Sequence, residues 1–359
     1  MHTKECSNGF APRRAQDDFS TMQPSEYPGV LFHNNPLTRP PAMLRPTSLL
    51  LLFILATGSL LAKKGESIFD RWTSMEQETI SFHLNLDSLE AHRFSEAPIR
   101  GTVVANGQAF TLDVTVRGRF RRRTCGLPPM LLQFDKDRLR LAGLNTHNDY
   151  KLVTPCTDDA EGQEAILREQ LAYELYRTVS PEASYRTKLL TINYVNTADG
   201  STTTSYAILI EDTDELQNRL KGDNCKDCFN QPVSEYANAE EVALFQYMIG
   251  NRDFSTKLTR NLKLLRTEDE LLTAVPYDFD YSGLVDPTYA NSPLRARRLV
   301  WEFDTPADFT EATATFLQLE EELLQVVDDF ESLDKGSKRE ITRYLRGFFR
   351  DLRSGDLAG

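Results

Sequence analysis

The stretch Gly101-Thr102-Val103-Val104-Ala105-Asn106-Gly107-Gln108-Ala109-Phe110-Thr111-Leu112-Asp113-Val114-Thr115-Val116 sets an Asn-Gly pair between two alternating apolar runs. Asn and Gly tolerate the positive φ that a two-residue hairpin turn requires, so the spacing predicts a β-hairpin. Ser81-Phe82-His83-Leu84-Asn85-Leu86 alternates in the same way upstream. An N-terminal antiparallel sheet is the expectation. Downstream, Leu167, Leu171 and Leu175 recur at i, i+4 and i+8 within 165–177, one face of an amphipathic helix. Lys188 to Val195 and Tyr206 to Ile210 read as two more strands. Beyond Glu211 the pattern turns helical over 212–221, 239–250, 309–333 and 335–353. This order describes an α+β chain of two lobes, a β-rich one over 63–211 and a helical one over 212–359, with no internal repeat.

The 359 residues begin with a segment, 1–42, that is rich in Pro, Asn and small polar residues and has no helical or strand period. It reads as a non-structural leader. Met43-Leu44-Arg45 then opens a positive start, and Ser48 to Ala62 is almost unbroken Leu, Ile, Phe and Ala before Lys63-Lys64-Gly65. That is the pattern of a secretory signal peptide over 43–62. The apolar run is shorter than the ~20 residues that a membrane helix needs, so an exported chain without a stable span is expected. Loss of Cys6 with the leader leaves Cys125, Cys156, Cys225 and Cys228, an even set that suits disulfides in an oxidising compartment. Cys225-Lys226-Asp227-Cys228 reads as a loop staple, because a zinc site would want a second C-x-x-C or a His pair. Cys125 and Cys156 flank a strand pair and are available for the other bridge.

With 41 Lys and Arg against 53 Asp and Glu, the net charge of -12 argues against a nucleic-acid partner, which is met first through phosphate charge. No His follows His147. Chemistry in the later chain must therefore run on carboxylates, amides, hydroxyls, thiols, Lys or Arg. Two segments supply such groups. In the first, an apolar helix ends at Gly250, delivers Asn251 and Asp253 into a loop, and returns through Asn261 to an apolar strand. In the second, Val275-Pro276-Tyr277-Asp278-Phe279-Asp280-Tyr281-Ser282-Gly283 presents two carboxylates at i and i+2, then a glycine free to take positive φ. Phosphoryl transfer needs one carboxylate for the hydroxyl proton and others for a cation that bridges phosphates. Oxygen donors of this kind suit Mg²⁺. The bland alternatives are a solvated turn or structural Ca²⁺ site at Asp278 and Asp280, and helix-end punctuation at Asn251 and Asp253.

From Val114 to Gly283 the sequence resembles the CotH family, the spore-coat-H-like secreted atypical kinases, and especially an extracytoplasmic bacterial branch of it. The matching pieces are Val116-Arg117-Gly118-Arg119, Asp149-Tyr150-Lys151-Leu152-Val153 and Leu167-Arg168-Glu169-Gln170-Leu171-Ala172. They continue, in the family's order, with Tyr206-Ala207-Ile208-Leu209-Ile210-Glu211, Gly250-Asn251-Arg252-Asp253 with Asn261, and Pro276-Tyr277-Asp278-Phe279-Asp280. The resemblance implies a protein-kinase-like two-lobed fold, with an N-terminal antiparallel sheet lobe and a mostly helical C-terminal lobe. It implies ATP with Mg²⁺ or Mn²⁺, Asp253 as the catalytic residue, and Asn261, Asp278 and Asp280 as the metal ligands. Glu211 would lie beside the nucleotide base, and Glu169, or else Glu174, would partner a phosphate-binding Lys. The strand where the family carries a Lys reads Pro128-Pro129-Met130-Leu131-Leu132-Gln133-Phe134, leaving Lys151 as the nearest substitute and the Arg117, Arg119, Arg121, Arg122, Arg123 cluster as alternative phosphate contacts or a solvated basic surface. Asn261 follows Asp253 by eight residues, more than in the H-R-D-x-x-x-x-N loop, and no G-x-G-x-x-G precedes them. The expected function is phosphate transfer from ATP to a Ser or Thr of an envelope or surface protein. A non-catalytic envelope binding or assembly protein, and AMP transfer at the same site, are the competing readings.

Overall fold

The hairpin forms where the Asn-Gly pair predicts it: Asn106 and Gly107 take φ of 47° and 73° between the strands Ile99–Ala105 and Gln108–Val116. The computed structural model describes residues 65–75, 79–290 and 294–357, so the leader and signal segments expected over 1–42 and 43–62 lie outside the described residues. Seven strands make the first half: β1 (Thr79–Leu84), β2 (Ile99–Ala105), β3 (Gln108–Val116), β4 (Met130–Phe134), β5 (Asp149–Val153), β6 (Thr187–Asn196) and β7 (Thr202–Ile210). Their order is β1-β2-β3-β4-β5-β7-β6, and the sheet closes on itself. The seam is a parallel pairing of β1 with β6, in which Phe82 faces Tyr194 and Thr79 faces Thr191.

This closure overturns the expected kinase-like architecture of two lobes with an open antiparallel sheet at the N-terminus. The molecule is a closed, mixed seven-stranded barrel with helices and a second small sheet. Alternation and turn chemistry report hairpins, which are local; a parallel pair needs a long crossover and carries no local signature. Here the crossover spans more than a hundred residues and includes the helix Ala160–Val179, inserted between β5 and β6. A barrel has no edge strands to protect, which removes a common route to aggregation.

Alternation along each strand fills the barrel. Phe110, Leu112, Val114 and Val116 of β3 are buried, as are Met130, Leu132 and Phe134 of β4. Phe134 meets Trp72, Phe110 and Tyr150 with ring centroids 5.7, 6.1 and 5.9 Å away. At Gly101 a Cβ would fall 2.8 Å from the Phe82 ring, so the strand there passes too close for a side chain.

The second half is not simply helical. β8 (Asp223–Asn224), β9 (Leu262–Arg266) and β10 (Leu272–Pro276) form a three-stranded sheet in the order β10-β9-β8. The same half carries the helices Thr213–Leu220, Ala239–Ile249 and Lys335–Ser354, and Ala239–Ile249 packs against β10. The helix expected over 309–333 is two helices, Thr310–Gln318 and Glu320–Asp329, broken at Leu319. A second apolar core unites the helix Ala160–Val179 with Phe245, Leu264, Phe279, Phe348 and Phe349. Cys125 pairs with Cys156 and Cys225 with Cys228, as an exported chain would allow. No helix among the described residues is long and apolar enough to cross a membrane.

Candidate active site

Phe279 fixes the site. It is fully buried, 4.7 Å from the Tyr173 ring and 5.4 Å from Phe245, so the chain after β10 is pinned into the second core. The pinned ring leaves Asp278 and Asp280 on its two sides. Asp278 has φ of 66°, a left-handed conformation that Asp tolerates better than most residues and that tends to persist at functional positions. Its backbone N–H donates to the Tyr173 hydroxyl at 2.9 Å. Gly283, in contrast, does not use positive φ; a Cβ there would meet the Leu294 carbonyl oxygen at 2.5 Å.

The helix Ala239–Ile249 ends on Gly250, whose φ of 68° turns the chain into the loop that carries Asp253. The Asn251 side-chain oxygen accepts from the Asp253 N–H at 2.8 Å. Asn261, also left-handed at φ 53°, donates its amide to the Asp253 carbonyl at 2.6 Å and carboxylate at 3.2 Å. That commits the Asn261 nitrogen to orienting Asp253 and leaves its amide oxygen as the group a cation would use. Burial pushes Asp253 above the usual carboxylate range, Asp280 adds to the shift, and Arg260 at 3.3 Å and Asn261 oppose it.

Glu169, on the buried face of the helix Ala160–Val179, has Arg121 as its partner at 3.3 Å, not Lys151. Arg121 also lies 3.7 Å from Asp280 and donates to the Thr154 carbonyl. Arg121 stands among three consecutive arginines of the short helix Arg121–Thr124, and nothing in that local composition marks it as the buried one. Burial raises the Glu169 pKa well above normal against the pull of Arg121, with Asp280 and Asp278 adding repulsion. One Glu169 oxygen is buried without a hydrogen-bond partner. Asp280 accepts from the Tyr289 hydroxyl at 2.5 Å. Burial and Asp280 likewise raise Asp278, while Arg121 and Arg117 draw it down and Asp253 pushes it up. The Asp278 carboxylate accepts no hydrogen bond and forms no ion pair among the described residues.

Lys151, on β5, donates to Thr213 Oγ1 at 3.1 Å and to the Tyr185 hydroxyl at 3.5 Å, and lies 5.6 Å from the Tyr277 ring centre. Burial lowers its pKa to about 7, with Arg117 and Lys263 adding like-charge repulsion. The Arg117 charge is felt by both Lys151 and Asp278: it lowers the pKa of each. Arg119 is exposed and has no side-chain partner among the described residues. Glu211 is fully buried and ion-paired to Arg186 at 2.8 Å and Arg219 at 2.7 Å, so its carboxylate belongs to a structural network.

The structure thus brings Asp253, Asn261, Asp278, Asp280 and Glu169 together around Arg121, sets Lys151 against Tyr185, Thr213 and the Tyr277 ring, and leaves Arg119 and the Glu211 carboxylate in neither group. Sequence reasoning counted Arg121 only among possible phosphate contacts, where it pairs with Glu169 and Asp280, and it missed Tyr173 and Tyr289 as members.

Among solved structures, the crystal structure of a Helicobacter pylori proinflammatory kinase, CtkA, aligns with 67% of this chain and 91% of its own length at 9% identity and a TM-score of 0.35. A kinase is a distant structural neighbour. No protein-family model matches the chain, and no curated protein matches it.

No group of three or more His, Cys, Asp or Glu side chains among the described residues is arranged to hold a metal ion by itself. The donor set still suits a hard cation shared with a ligand. Mg²⁺ commonly takes only one or two carboxylates and completes its shell with water and substrate phosphates. The partnerless Asp278 carboxylate and the orphaned Glu169 oxygen are groups that a cation or a donor would satisfy.

Proposed function

We propose that this chain is a phosphotransferase of the CotH type, which moves a phosphoryl group from ATP to a Ser or Thr hydroxyl of an envelope or surface protein. The observation that carries the reading is the Asp278 carboxylate, crowded by Asp280 and Asp253 and without a hydrogen bond of its own. The six ordered motifs support the family assignment. Asp278, Asp280 and the Asn261 amide oxygen would hold Mg²⁺ or Mn²⁺, which supplies charge neutralisation across the β- and γ-phosphates. Asp253, oriented by Asn251 and Asn261, would accept or orient the proton of the acceptor hydroxyl. Lys151 and Arg117 would meet the phosphate oxygens, and Lys151 carries its charge best when such an anion is present. Export to an oxidising compartment agrees with the two disulfides.

A second reading, a non-catalytic binding protein, draws on Glu169, whose partner is Arg121 and not a lysine. Calorimetry with ATP and MnCl₂, followed by transfer of label from γ-³²P-ATP to envelope proteins, separates the two. Binding and label transfer that both vanish in Asp278→Asn support the phosphotransferase; binding without transfer supports the second reading, and equal labelling by Asp278→Asn removes Asp278 from the chemistry. The mass of the modified product distinguishes phosphate from AMP.

A further inference from the structure

The helix Lys335–Ser354 buries Ile341, Leu345, Phe348, Phe349 and Leu352 in the second core. Its other face is basic. Lys335, Lys338, Arg339, Arg343, Arg346 and Arg350 line a groove of about 760 Å³ in which Asp328 is the one carboxylate. Positions 335, 339, 343, 346 and 350 follow one another by three or four residues, so they form a single stripe on the helix surface. Lys335, Arg339, Arg343, Arg346 and Arg350 are exposed. Lys338 is turned to the Asp328 carbonyl at 2.6 Å and Arg339 to the Lys335 carbonyl at 3.0 Å. Arg343, Arg346 and Arg350 form no ion pair among the described residues. Such a concentration of unneutralised charge is costly in self-repulsion and is out of keeping with a net charge of -12.

We infer that this groove is a docking surface for an acidic, extended segment of a partner protein. Charge complementarity names the chemistry of the occupant, and the groove gives its form. From Lys335 to Arg350 the helix rises ~22 Å, which an extended peptide of roughly seven residues spans. A lipid surface fits less well. A helix that lies in a bilayer interface inserts its apolar face, and here that face is already buried in the core. The large exposed apolar side chains, Phe94, Phe120, Leu141, Phe229 and Leu258, all belong to other parts of the chain. The inference is independent of the phosphotransferase reading, since no residue of the groove belongs to the Asp278 cluster.

The test is fluorescence anisotropy of a labelled octa-glutamate peptide titrated with the whole chain, alongside vesicles with and without phosphatidylserine. The triple variant Arg343→Ala/Arg346→Ala/Arg350→Ala should bind the peptide at least ~10-fold more weakly, and the native affinity should fall steeply with salt. Arg100→Ala/Arg138→Ala/Arg140→Ala removes the same charge from exposed positions elsewhere and should bind like the parent. Equal losses in both variants would reduce the effect to net charge and overturn the docking surface. Binding to phosphatidylserine vesicles with none to the peptide would overturn the choice of partner. All six positions are exposed, so circular dichroism should show both variants folded.

Discussion

Phe134 in the barrel and Asp278 in the acidic cluster are surrounded in opposite ways. Phe134 is enclosed by Phe110 and Tyr150 from strands of regular alternation and by Trp72 from the helix Ile68–Thr73, with no charge among its ring neighbours. Asp278 sits in a left-handed conformation beside Asp280 and Asp253, with Arg121 and Arg117 as partial compensation. The first arrangement stabilises the fold. The second opposes it and persists because Phe279 is buried against Tyr173 and Phe245. Strain and unmet charge concentrated at one place, on a well-packed support, are what a ligand site requires.

The largest effect should come from the barrel. Phe134→Ala should cost about 3–5 kcal/mol in urea unfolding through lost burial and the cavity left among three rings. A loss below about 1 kcal/mol would mean that the barrel interior is not packed as described. Next is Arg121→Met, which leaves Glu169 and Asp280 without their buried cation and should cost about 3 kcal/mol near neutral pH. The sign of its pH dependence follows from Glu169. A carboxylate whose folded pKa is raised destabilises the fold once pH rises through the range between its unfolded and folded pKa. The Arg121→Met deficit should therefore shrink as the solution is acidified, and a deficit that grows on acidification would show that Glu169 is not the group left exposed.

Asp278→Asn inverts the pattern. It keeps the side-chain shape and the tolerance for positive φ while removing a charge that burial and Asp280 disfavour. Thermal unfolding at neutral pH should show equal or slightly higher stability, within about 1 kcal/mol, while nucleotide–metal binding is lost. Loss of stability would place Asp278 on the structural side of the comparison.

These two regions were also unequally legible in the sequence. The Asn106-Gly107 hairpin, the helix end at Gly250 and the helix with Leu167, Leu171 and Leu175 follow from local chemistry, and each forms. Barrel closure does not, because Thr79 and Thr191 meet through a register that no local pattern encodes. In the cluster, Asp253, Asn261 and the Asp278-Phe279-Asp280 run announced themselves by residue type and spacing. Arg121 stood out only as one of five clustered arginines, since burial of one among Arg121, Arg122 and Arg123 is decided by where Glu169 and Asp280 lie in three dimensions. Nor did the sequence show what the Glu211 carboxylate does: its motif suggested a place beside a nucleotide base, and the carboxylate pairs with Arg186 and Arg219.

A smaller effect sharpens the electrostatics within the cluster. Under the proposed function, metal binding needs Asp278 ionised, which its raised pKa makes harder as pH falls. Under the same proposal, phosphate binding would gain from Lys151 protonated, which its pKa of about 7 makes harder as pH rises. Nucleotide–metal affinity should therefore pass through a maximum near neutrality, and Lys151→Met should flatten its alkaline limb alone. An unchanged alkaline limb in that variant would remove Lys151 from the phosphate contacts.

The most direct test of the account is isothermal titration of the whole chain with ATP in the presence and absence of MnCl₂, repeated with Asp278→Asn. The account predicts saturable binding that requires both the metal and the Asp278 carboxylate. Binding that is indifferent to manganese and to Asp278→Asn, or no binding by a parent chain shown to be folded, would contradict it.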